Sequence, residues 1–174
     1  MQNSLQAVEA FICLGSNMGD TDGNLARAVE AISALEGVSL EAASGVYRTE
    51  PQEKKDQAWF ANQVIRVSCD ARTSPETLLA SLLNIESSMG RCRDGSAPED
   101  RFGPRIIDLD LLLFGSSVMA TETLVLPHPR MQQRAFVLIP LHEIAPELTF
   151  PDGKTLLQAL NALQFRLVGD QIWQ

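Results

Sequence analysis

The stretch RFGPRIIDLDLLLFG, residues 101–115, is an apolar β-strand pattern that carries two carboxylates. Side chains alternate between the two faces of a strand, so Asp108 and Asp110 are predicted to project from one face, with their Cα atoms roughly 6.6 Å apart. The opposite face is predicted to carry the apolar side chains Ile107, Leu109, Leu111 and Leu113. Such a strand indicates a sheet with one face buried against helices and one face available for chemistry.

The segments on the N-terminal side of this strand alternate between strand and helix patterns. The predicted elements are a strand at 8–14, a helix at 24–37, strands at 38–50 and 60–70, a helix at 73–90 and a strand at 105–115. The second helix has clear boundary signals, because Ser74 or Thr73 can cap it, Pro75 suits its first turn and Gly90 follows its end. The order β-α-β-β-α-β predicts an α+β fold of the ferredoxin-like type, an antiparallel sheet flanked by helices.

The C-terminal part of the chain adds smaller elements. Residues 123–129 (TLVLPHP) predict a short strand and a turn, and residues 130–146 predict a helical turn or two that end before Pro140 or Pro146. Residues 154–163 predict a final small helix. No internal repeat and no linker divides the chain, so a single domain over residues 1–174 is expected.

The distribution of charge favours a small anionic ligand. The net charge of −8 argues against a broad nucleic-acid or anionic-membrane surface. Residues 91–134 nevertheless hold six arginines, six acids and no lysine. The planar guanidinium group suits bidentate contacts with phosphate, so this segment indicates a phosphate-containing ligand.

The three cysteines indicate a reducing compartment. Their number is odd and no CxxC spacing occurs, which argues against a disulfide framework and a zinc site. Cys13 and Cys69 lie in apolar runs and are expected to fill the core. The N-terminal segment has no basic leader and no apolar run approaches ~18 residues, so a soluble cytoplasmic protein, with a monomer as the default, is expected.

The two aspartates and their neighbours suggest metal-dependent phosphoryl transfer. Two carboxylates at this separation can share two hard cations about 3.5–4 Å apart. Without cations they would repel, and burial would push one of them toward protonation. The motif DLD alone also permits a pair of solvated acids on an exposed sheet face. Neither a Walker sequence nor a dinucleotide-binding glycine motif is present, and the glycine-rich turn GSNMGD (15–20) is interpreted as structural.

Several motifs resemble, in the same order, those of the 6-hydroxymethyl-7,8-dihydropterin pyrophosphokinase family. The run RFGPRIIDLDLLLFG resembles the family signature, and GPR-x-x-DLD is its most specific part. The other similar motifs are LGSNMGD, YRTEP, FANQV, GRCR, LPHPRMQQRAFVLIPL and EIAPEL. The resemblance covers about residues 9–162. It implies a ferredoxin-like α+β fold and an ATP-dependent diphosphotransferase of the folate pathway.

The resemblance also implies roles for individual residues. The family transfers the β,γ-diphosphate of ATP to the hydroxymethyl oxygen of the reduced pterin and releases AMP. By this likeness Asp108 and Asp110 would bind two Mg²⁺ ions, and Arg91, Arg105 and Asp108 would be catalytic. The implied ATP contacts are Glu86, Arg91, Arg93, Arg101, Phe102, Arg105, Leu111, His128, Pro129 and Arg134. The implied pterin contacts are Thr49, Glu50, Gln52, Phe60, Asn62, Phe102, Asp108 and Phe136.

Two loops depart from the family pattern. Residues 52–59 read QEKKDQAW where the family often has a hydrophobic residue and glycine, and the loop 94–100 is longer than in compact members. Phe102 stands where tryptophan is frequent, which keeps a stacking face but loses the indole donor. These changes leave the two aspartates intact and bear on the affinity for the pterin and for ATP.

Two other functions are compatible with the residues. One is another Mg²⁺-dependent phosphoryl or nucleotidyl transferase on the same fold that uses a different small alcohol, which AMP formation with the reduced pterin would exclude. The other is a non-catalytic ferredoxin-like binding module, in which Asp110→Asn would abolish no activity.

Overall fold

Strand β1, Val8–Ser16, lies inside the main sheet, and its residues from Ala10 to Ser16 are all buried. The computed structural model describes residues 6–53, 55–91 and 103–174. In chain order the elements are β1 Val8–Ser16, α1 Thr21–Ser33, β2 Val38–Ala43, β3 Tyr47–Thr49, β4 Phe60–Cys69, α2 Pro75–Ser88, β5 Asp108–Phe114, β6 Met119–Ala120, β7 Val125–Leu126, a 3₁₀ turn Met131–Gln133, α3 Ala135–Ile144, α4 Leu156–Asn161, β8 Arg166–Val168 and β9 Gln171–Trp173.

The main sheet is mixed. Its strand order is β5-β1-β4-β3-β9-β8, and β2 pairs with β4, while β6 and β7 form a separate hairpin. The pairings are antiparallel except that of β3 with β9, which is parallel. The α+β class is confirmed, but the expectation of an antiparallel sheet is wrong, because β9 extends the sheet beyond the six elements that the pattern predicts. The missed signal is the two-residue turn Gly169-Asp170 between short strand-like runs.

Two pairs of helices cover the two faces of the sheet. Helices α1 and α2 form one core with the apolar side chains of β1, β4 and β5, and helices α3 and α4 form a second core on the opposite face. The hydroxyl of Ser74 accepts a hydrogen bond from the N–H of Thr77, and the Thr77 hydroxyl accepts one from the N–H of Ser74. This capping box confirms Ser74 as the start of α2.

A β-bulge divides β5 after the two aspartates. Ile12 pairs with Leu111 whereas Phe11 pairs with Leu113, so Leu112 is the extra residue on β5. Leu113 therefore packs beneath α3 and α4, while Leu111 faces α1 and α2. The prediction that Leu113 shares a face with Leu111 is wrong, because a bulge reverses the alternation beyond it.

One strand is shorter than expected, and the helix expected to end before Pro140 or Pro146 ends before the second of these prolines. The strand expected at 38–50 is interrupted after Ala43, where the hydroxyl of Ser44 accepts from Val64 and the N–H of Gly45 donates to Glu143. Helix α3 contains Pro140 and ends at Ile144, ahead of Pro146. Burial of both flanking residues of Pro140 against the sheet offsets the single helical hydrogen bond that proline removes. In the described ranges no helix combines the length and apolar character of a membrane span.

Candidate active site

The ends of β1, β3, β4 and β5 converge on a cavity of about 300 Å³. Gly15 of β1 pairs with Asn62 of β4 on one side and with Asp108 of β5 on the other, so the two side chains lie on either side of the β1 backbone. A Cβ atom at Gly15 would lie 3.2 Å from Oδ1 of Asn62 and 4.0 Å from the ring of Phe60. Glycine therefore allows the amide and the ring to approach the β1 backbone closely.

The cavity brings together many of the residues that the resemblance singled out. Those that line it are Thr49, Glu50, Gln52, Phe60, Asn62, Arg91, Arg105, Asp108, Asp110, His128, Arg134 and Phe136. They come from segments up to 87 positions apart in the chain, as Thr49 and Phe136 show. Three residues of the expected set, Arg93, Arg101 and Phe102, lie outside the described residues, as does the loop 94–100.

Asp108 is clamped between two arginines. Nη1 of Arg91 donates to one carboxylate oxygen, and Nη1 of Arg105 lies 2.6 Å from the other. Burial alone would raise the pKa of Asp108, but the two guanidinium groups hold it below its ordinary value. Asp108 is therefore a carboxylate at neutral pH, with its orientation set by both arginines.

Asp110 lies on the same face and in a different electrostatic environment. Burial, together with the negative charge of Asp108, raises the pKa of Asp110 to about 7, although Arg134 opposes the rise. Two carboxylates two positions apart on one strand thus differ in protonation, because Asp108 has the arginines closest to it. A cation near Asp110 would relieve this repulsion.

The donor set fits Mg²⁺ that is shared with a phosphate ligand. Among the described residues, no group of three or more His, Cys, Asp or Glu side chains could hold a metal ion alone. Mg²⁺ is commonly held by one or two carboxylates, with substrate phosphates and water completing the octahedron. Asp108 and Asp110 provide such a pair of carboxylates on the cavity wall, and the raised pKa of Asp110 shows uncompensated negative charge there.

Glu86 lies behind this cavity, in the core. Its side chain is 1% exposed; it accepts a hydrogen bond of 2.7 Å from the N–H of Leu109 and lies 2.9 Å from Nη1 of Arg91. The carboxylate therefore joins α2 to β5 between the two aspartates and also holds Arg91. Glu86, which the resemblance implies as an ATP contact, therefore lies where it orients Leu109 and Arg91.

His128 is a neutral donor on the cavity wall. Burial, followed by the positive charges of Arg134 and Arg130, lowers its pKa to about 4. Its Nδ1 accepts a hydrogen bond of 3.2 Å from the N–H of Arg130, so the proton of the neutral ring is assigned to Nε2. An Nε2–H group is suited to donating to a phosphate oxygen without adding a full charge.

The other side of the cavity offers an amide and aromatic rings. Asn62 is 3% exposed, and its Nδ2 donates a hydrogen bond of 2.8 Å to the hydroxyl of Thr49. Phe60 and Phe136 line the same cavity, and the guanidinium of Arg134 lies 5.4 Å from the centre of the Phe136 ring. An oriented amide and two rings in one cavity suit a flat heterocycle with hydrogen-bonding edges.

A second cavity of about 330 Å³ adjoins the first. Asp110 and His128 line both, and the expected ATP contacts Leu111 and Pro129 line only the second. Asp110 thus lies where a pocket suited to a flat ring meets a pocket on the outer side of β5, and Asp108 lies in the first of these pockets. Two ligands could meet at this point.

Sequence reasoning missed several residues around the cavity. Cys13, Gly15, Glu53, Gln57 and Arg130 also line it. Cys13, expected only in the core, pairs with Asp110 across β1 and β5. Burial, and then the charges of Asp110 and Asp108, raise the pKa of its thiol, so Cys13 is uncharged at neutral pH.

Asn17, in the turn interpreted as structural, connects three segments of the site. It is 5% exposed, its Nδ2 donates bonds of 3.1 Å to Gln57 and to the carbonyl of Ala58, and its Oδ1 accepts one of 2.7 Å from the N–H of Arg105. The turn after β1 therefore holds Arg105 against the loop before β4. The sequence signal for this role is an asparagine in a glycine-rich turn, because the asparagine side chain often forms hydrogen bonds with backbone groups.

Comparison with known proteins gives a consistent picture. A protein named 2-amino-4-hydroxy-6-hydroxymethyldihydropteridine pyrophosphokinase from Methylorubrum extorquens is 44% identical over 88% of this chain and 92% of its own length. One with the same name from Pseudomonas aeruginosa is 39% identical over 89% of this chain and 91% of its length.

Solved structures show the same fold at low identity. The crystal structure of Plasmodium falciparum HPPK-DHPS wild type with pteroate matches 99% of this chain with a TM-score of 0.68 and 13% identity. This chain spans about half, 48%, of that longer chain. The profile of the 7,8-dihydro-6-hydroxymethylpterin-pyrophosphokinase family matches residues 11–146, so the chain belongs to this family.

Proposed function

We propose that this protein is an ATP-dependent diphosphotransferase of folate biosynthesis. It transfers the β,γ-diphosphate of ATP to 6-hydroxymethyl-7,8-dihydropterin and releases AMP and the pterin diphosphate. The observation that carries the proposal is the pair Asp108 and Asp110 in the first cavity, with Asp110 also lining the second cavity and with Arg91 and Arg105 beside Asp108. The names of its relatives support the same reaction.

The pterin fits the first cavity and the nucleotide the second. Asn62 offers an amide to the hydrogen-bonding edge of the pterin, and Phe60 and Phe136 offer their faces to its ring. Leu111 and Pro129 would contact the nucleotide from the second cavity, with its phosphates directed toward Asp110 and His128. Arg93, Arg101 and Phe102 remain proposed contacts from the resemblance, as do the backbones of Thr49, Glu50 and Gln52.

Asp108 and Asp110 would hold Mg²⁺, and we propose two ions, as the resemblance implies. When bound, these ions supply neutralisation of phosphate charge and polarisation of the transferred phosphorus. The protein itself holds the anionic phosphates near Arg91, Arg105 and Arg134, and the Nε2–H of His128 donates to a phosphate oxygen.

The chemistry is an in-line displacement at the β-phosphorus. The hydroxymethyl oxygen forms a bond to this phosphorus, and the bond to the oxygen that bridges the α and β positions breaks, so AMP leaves with the electron pair. The proton of the hydroxyl is released to solvent by way of Asp108. Asp108, kept ionised by Arg91 and Arg105, accepts the hydrogen bond of the attacking hydroxyl and orients it. Exclusion of water by Phe60 and Phe136 favours transfer to the pterin over hydrolysis.

The remaining parts of the proposal concern architecture and location. We infer a ferredoxin-like arrangement for β1, α1, β2/β3, β4, α2 and β5, supported by the strand order β5-β1-β4-β2/β3, with the C-terminal strands added at the edge. A single domain, a monomer and a reducing cytoplasm remain proposals. The free buried thiols of Cys13 and Cys69 support the last.

The decisive experiment mixes the protein with ATP, Mg²⁺ and 6-hydroxymethyl-7,8-dihydropterin and identifies the nucleotide product. AMP formed in step with the pterin diphosphate is the expected result. ADP would indicate an ordinary kinase, and no product with this pterin but product with another alcohol would indicate a different acceptor. Asp110→Asn should abolish turnover. A variant that loses none of the activities of the wild-type protein would favour a non-catalytic binding module.

A further inference from the structure

The C-terminal hairpin, residues 166–174, lies outside the part of the chain that the family profile matches. Its strand β9 pairs with β3, so that Ile172 lies beside Thr49. The backbone N–H of Arg48 donates a hydrogen bond of 2.7 Å to the backbone carbonyl of Asp170. Thr49 in turn accepts the hydrogen bond of the Asn62 amide in the cavity. The hairpin thus supports the strand that orients this amide.

The same hairpin caps the helix that carries Phe136. The side chain of Gln174 accepts a bond of 2.7 Å from the N–H of Ala135, the first residue of α3, and donates one of 2.7 Å to the carbonyl of Gln133. Arg134 precedes the helix and provides no side-chain cap of its own. Gln174 therefore satisfies a backbone donor at the helix start and constrains the backbone on both sides of Arg134.

Two more contacts connect the hairpin to the cavity wall. Ile172 is 1% exposed and packs in a small core with Ala135, Tyr47 and Phe136. The ring of Trp173 meets the ring of Trp59 edge to face at 5.4 Å, and Trp59 directly precedes Phe60. The hairpin therefore contacts segments that carry Thr49, Phe60 and Phe136.

We propose that the C-terminal hairpin is the positioning element of the pterin side of the cavity and that Gln174 is its key positioning residue. Gln174 acts through α3, which carries Phe136, and the hairpin acts through β3, which carries Thr49. The aspartates and arginines on the β5 side make no contact with it among the interactions described for these residues. The proposed effect is therefore on pterin affinity, and any effect on the phosphates would pass through Arg134, whose two neighbours Gln174 bonds. The inference rests on the proposed function, because it assigns a determinant of pterin binding.

The experiment compares three variants of the full chain. Gln174→Ala removes both hydrogen bonds, Gln174→Glu keeps an acceptor for the N–H of Ala135, and Leu167→Ala changes a side chain of the same hairpin that is 43% exposed. Binding of 6-hydroxymethyl-7,8-dihydropterin is titrated in the presence of Mg²⁺ and a non-hydrolysable ATP analogue. Steady-state kcat and KM are measured at a temperature where each variant is folded.

The expected result is a selective loss of pterin affinity. Gln174→Ala should raise both Kd and KM for the pterin by about tenfold, the factor expected for one or two lost hydrogen bonds, with kcat within about twofold of wild type. Gln174→Glu should recover most of the affinity, and Leu167→Ala should bind like wild type.

Other outcomes overturn the inference. Wild-type pterin affinity in Gln174→Ala would show that the hairpin does not position the site, and an equal loss in Leu167→Ala would show a general effect on stability. A fall in kcat with unchanged pterin KM would assign Gln174 to the transfer step instead. If the wild-type protein itself binds no pterin, the proposed function fails, which is distinct from the failure of the hairpin proposal.

Discussion

Replacing Asp110 by asparagine should stabilise the protein in the absence of metal while abolishing its activity. The folded state holds Asp110 with its pKa raised from 3.8 to about 7, because of burial and of the adjacent Asp108 charge. Between these two pH values the folded state binds more protons than the unfolded state, so this group lowers stability as pH rises. Asparagine keeps the size of the side chain and removes the charge.

The magnitude follows from the two pKa values. A rise from 3.8 to about 7 corresponds to about 4 kcal/mol of unfolding free energy at pH 8, at about 1.4 kcal/mol per pKa unit, and to less than about 1 kcal/mol at pH 4. The side chain of Asp110 is partly exposed, which screens the repulsion. We therefore expect Asp110→Asn to be more stable than wild type by about 2–4 kcal/mol at pH 8 and nearly equal to it at pH 4.

The assay is urea unfolding of wild type and variant in EDTA at several values of pH. Comparing the two proteins at each pH cancels the titration of groups that are remote from Asp110. Asp108→Asn is the matched control, and its effect should have the opposite sign. The pKa of Asp108 is lowered in the folded state, so its charge contributes stability above its ordinary pKa that is lost as pH falls. Mg²⁺ with an ATP analogue should then stabilise wild type more than Asp110→Asn.

One result would refute this reasoning. If Asp110→Asn is no more stable than wild type at pH 8 in EDTA, then neither burial nor the charge of Asp108 disfavours the Asp110 carboxylate in the folded protein. The assignment of a cation site between the two aspartates would then lose its electrostatic basis. A stabilisation that is independent of pH would point to packing or hydrogen bonding of the new amide instead.

Substitutions at three further positions test individual parts of the site. Glu86→Ala should lower the free energy of unfolding, measured in urea, by about 3 kcal/mol, because it removes a buried carboxylate partner of Arg91 and the acceptor of the Leu109 N–H. Glu86→Gln should lower it by less. A loss near zero in Glu86→Ala would contradict a buried ion pair. Arg91→Ala should lower kcat by a larger factor than it weakens binding of an ATP analogue, since its guanidinium acts on charge that develops during transfer; equal factors would contradict this role. Asn17→Ala should lower kcat/KM for the pterin by about tenfold, because it removes the hydrogen bonds that hold the Arg105 backbone against Ala58. Asn17→Asp keeps the acceptor for Arg105 and should recover part of that loss in the same steady-state assay.

The features that were predictable from sequence depend on neighbouring residues. The period of two along residues 108–111 indicates which side chains share a face, and the structure has Asp108 and Asp110 together on the cavity wall. Ser74 and Pro75 mark the start of α2 because a helix cap forms within a single turn. The family motifs also identify many of the residues that line the cavity.

The features that were missed depend on partners far along the chain. The bulge at Leu112 exists because β5 must stay in register with β1, and the bonds of Gln174 exist because β9 returns to the edge of β3. The sequence leaves open whether the last helical turns end before Pro140 or Pro146, and α3 continues through Pro140 because packing against the sheet outweighs one lost hydrogen bond.

The clearest example is the difference between the two aspartates. Both are the same residue type on the same strand, and the pattern DLD treats them alike. Glu86 holds Arg91 from helix α2, and Asn17 holds Arg105 from the turn after β1, so both arginines reach Asp108. The sequence alone shows that two carboxylates share one face, because side-chain alternation is local. Their unequal pKa values arise only in the folded chain, because electrostatic energy depends on distances between groups that are remote in sequence.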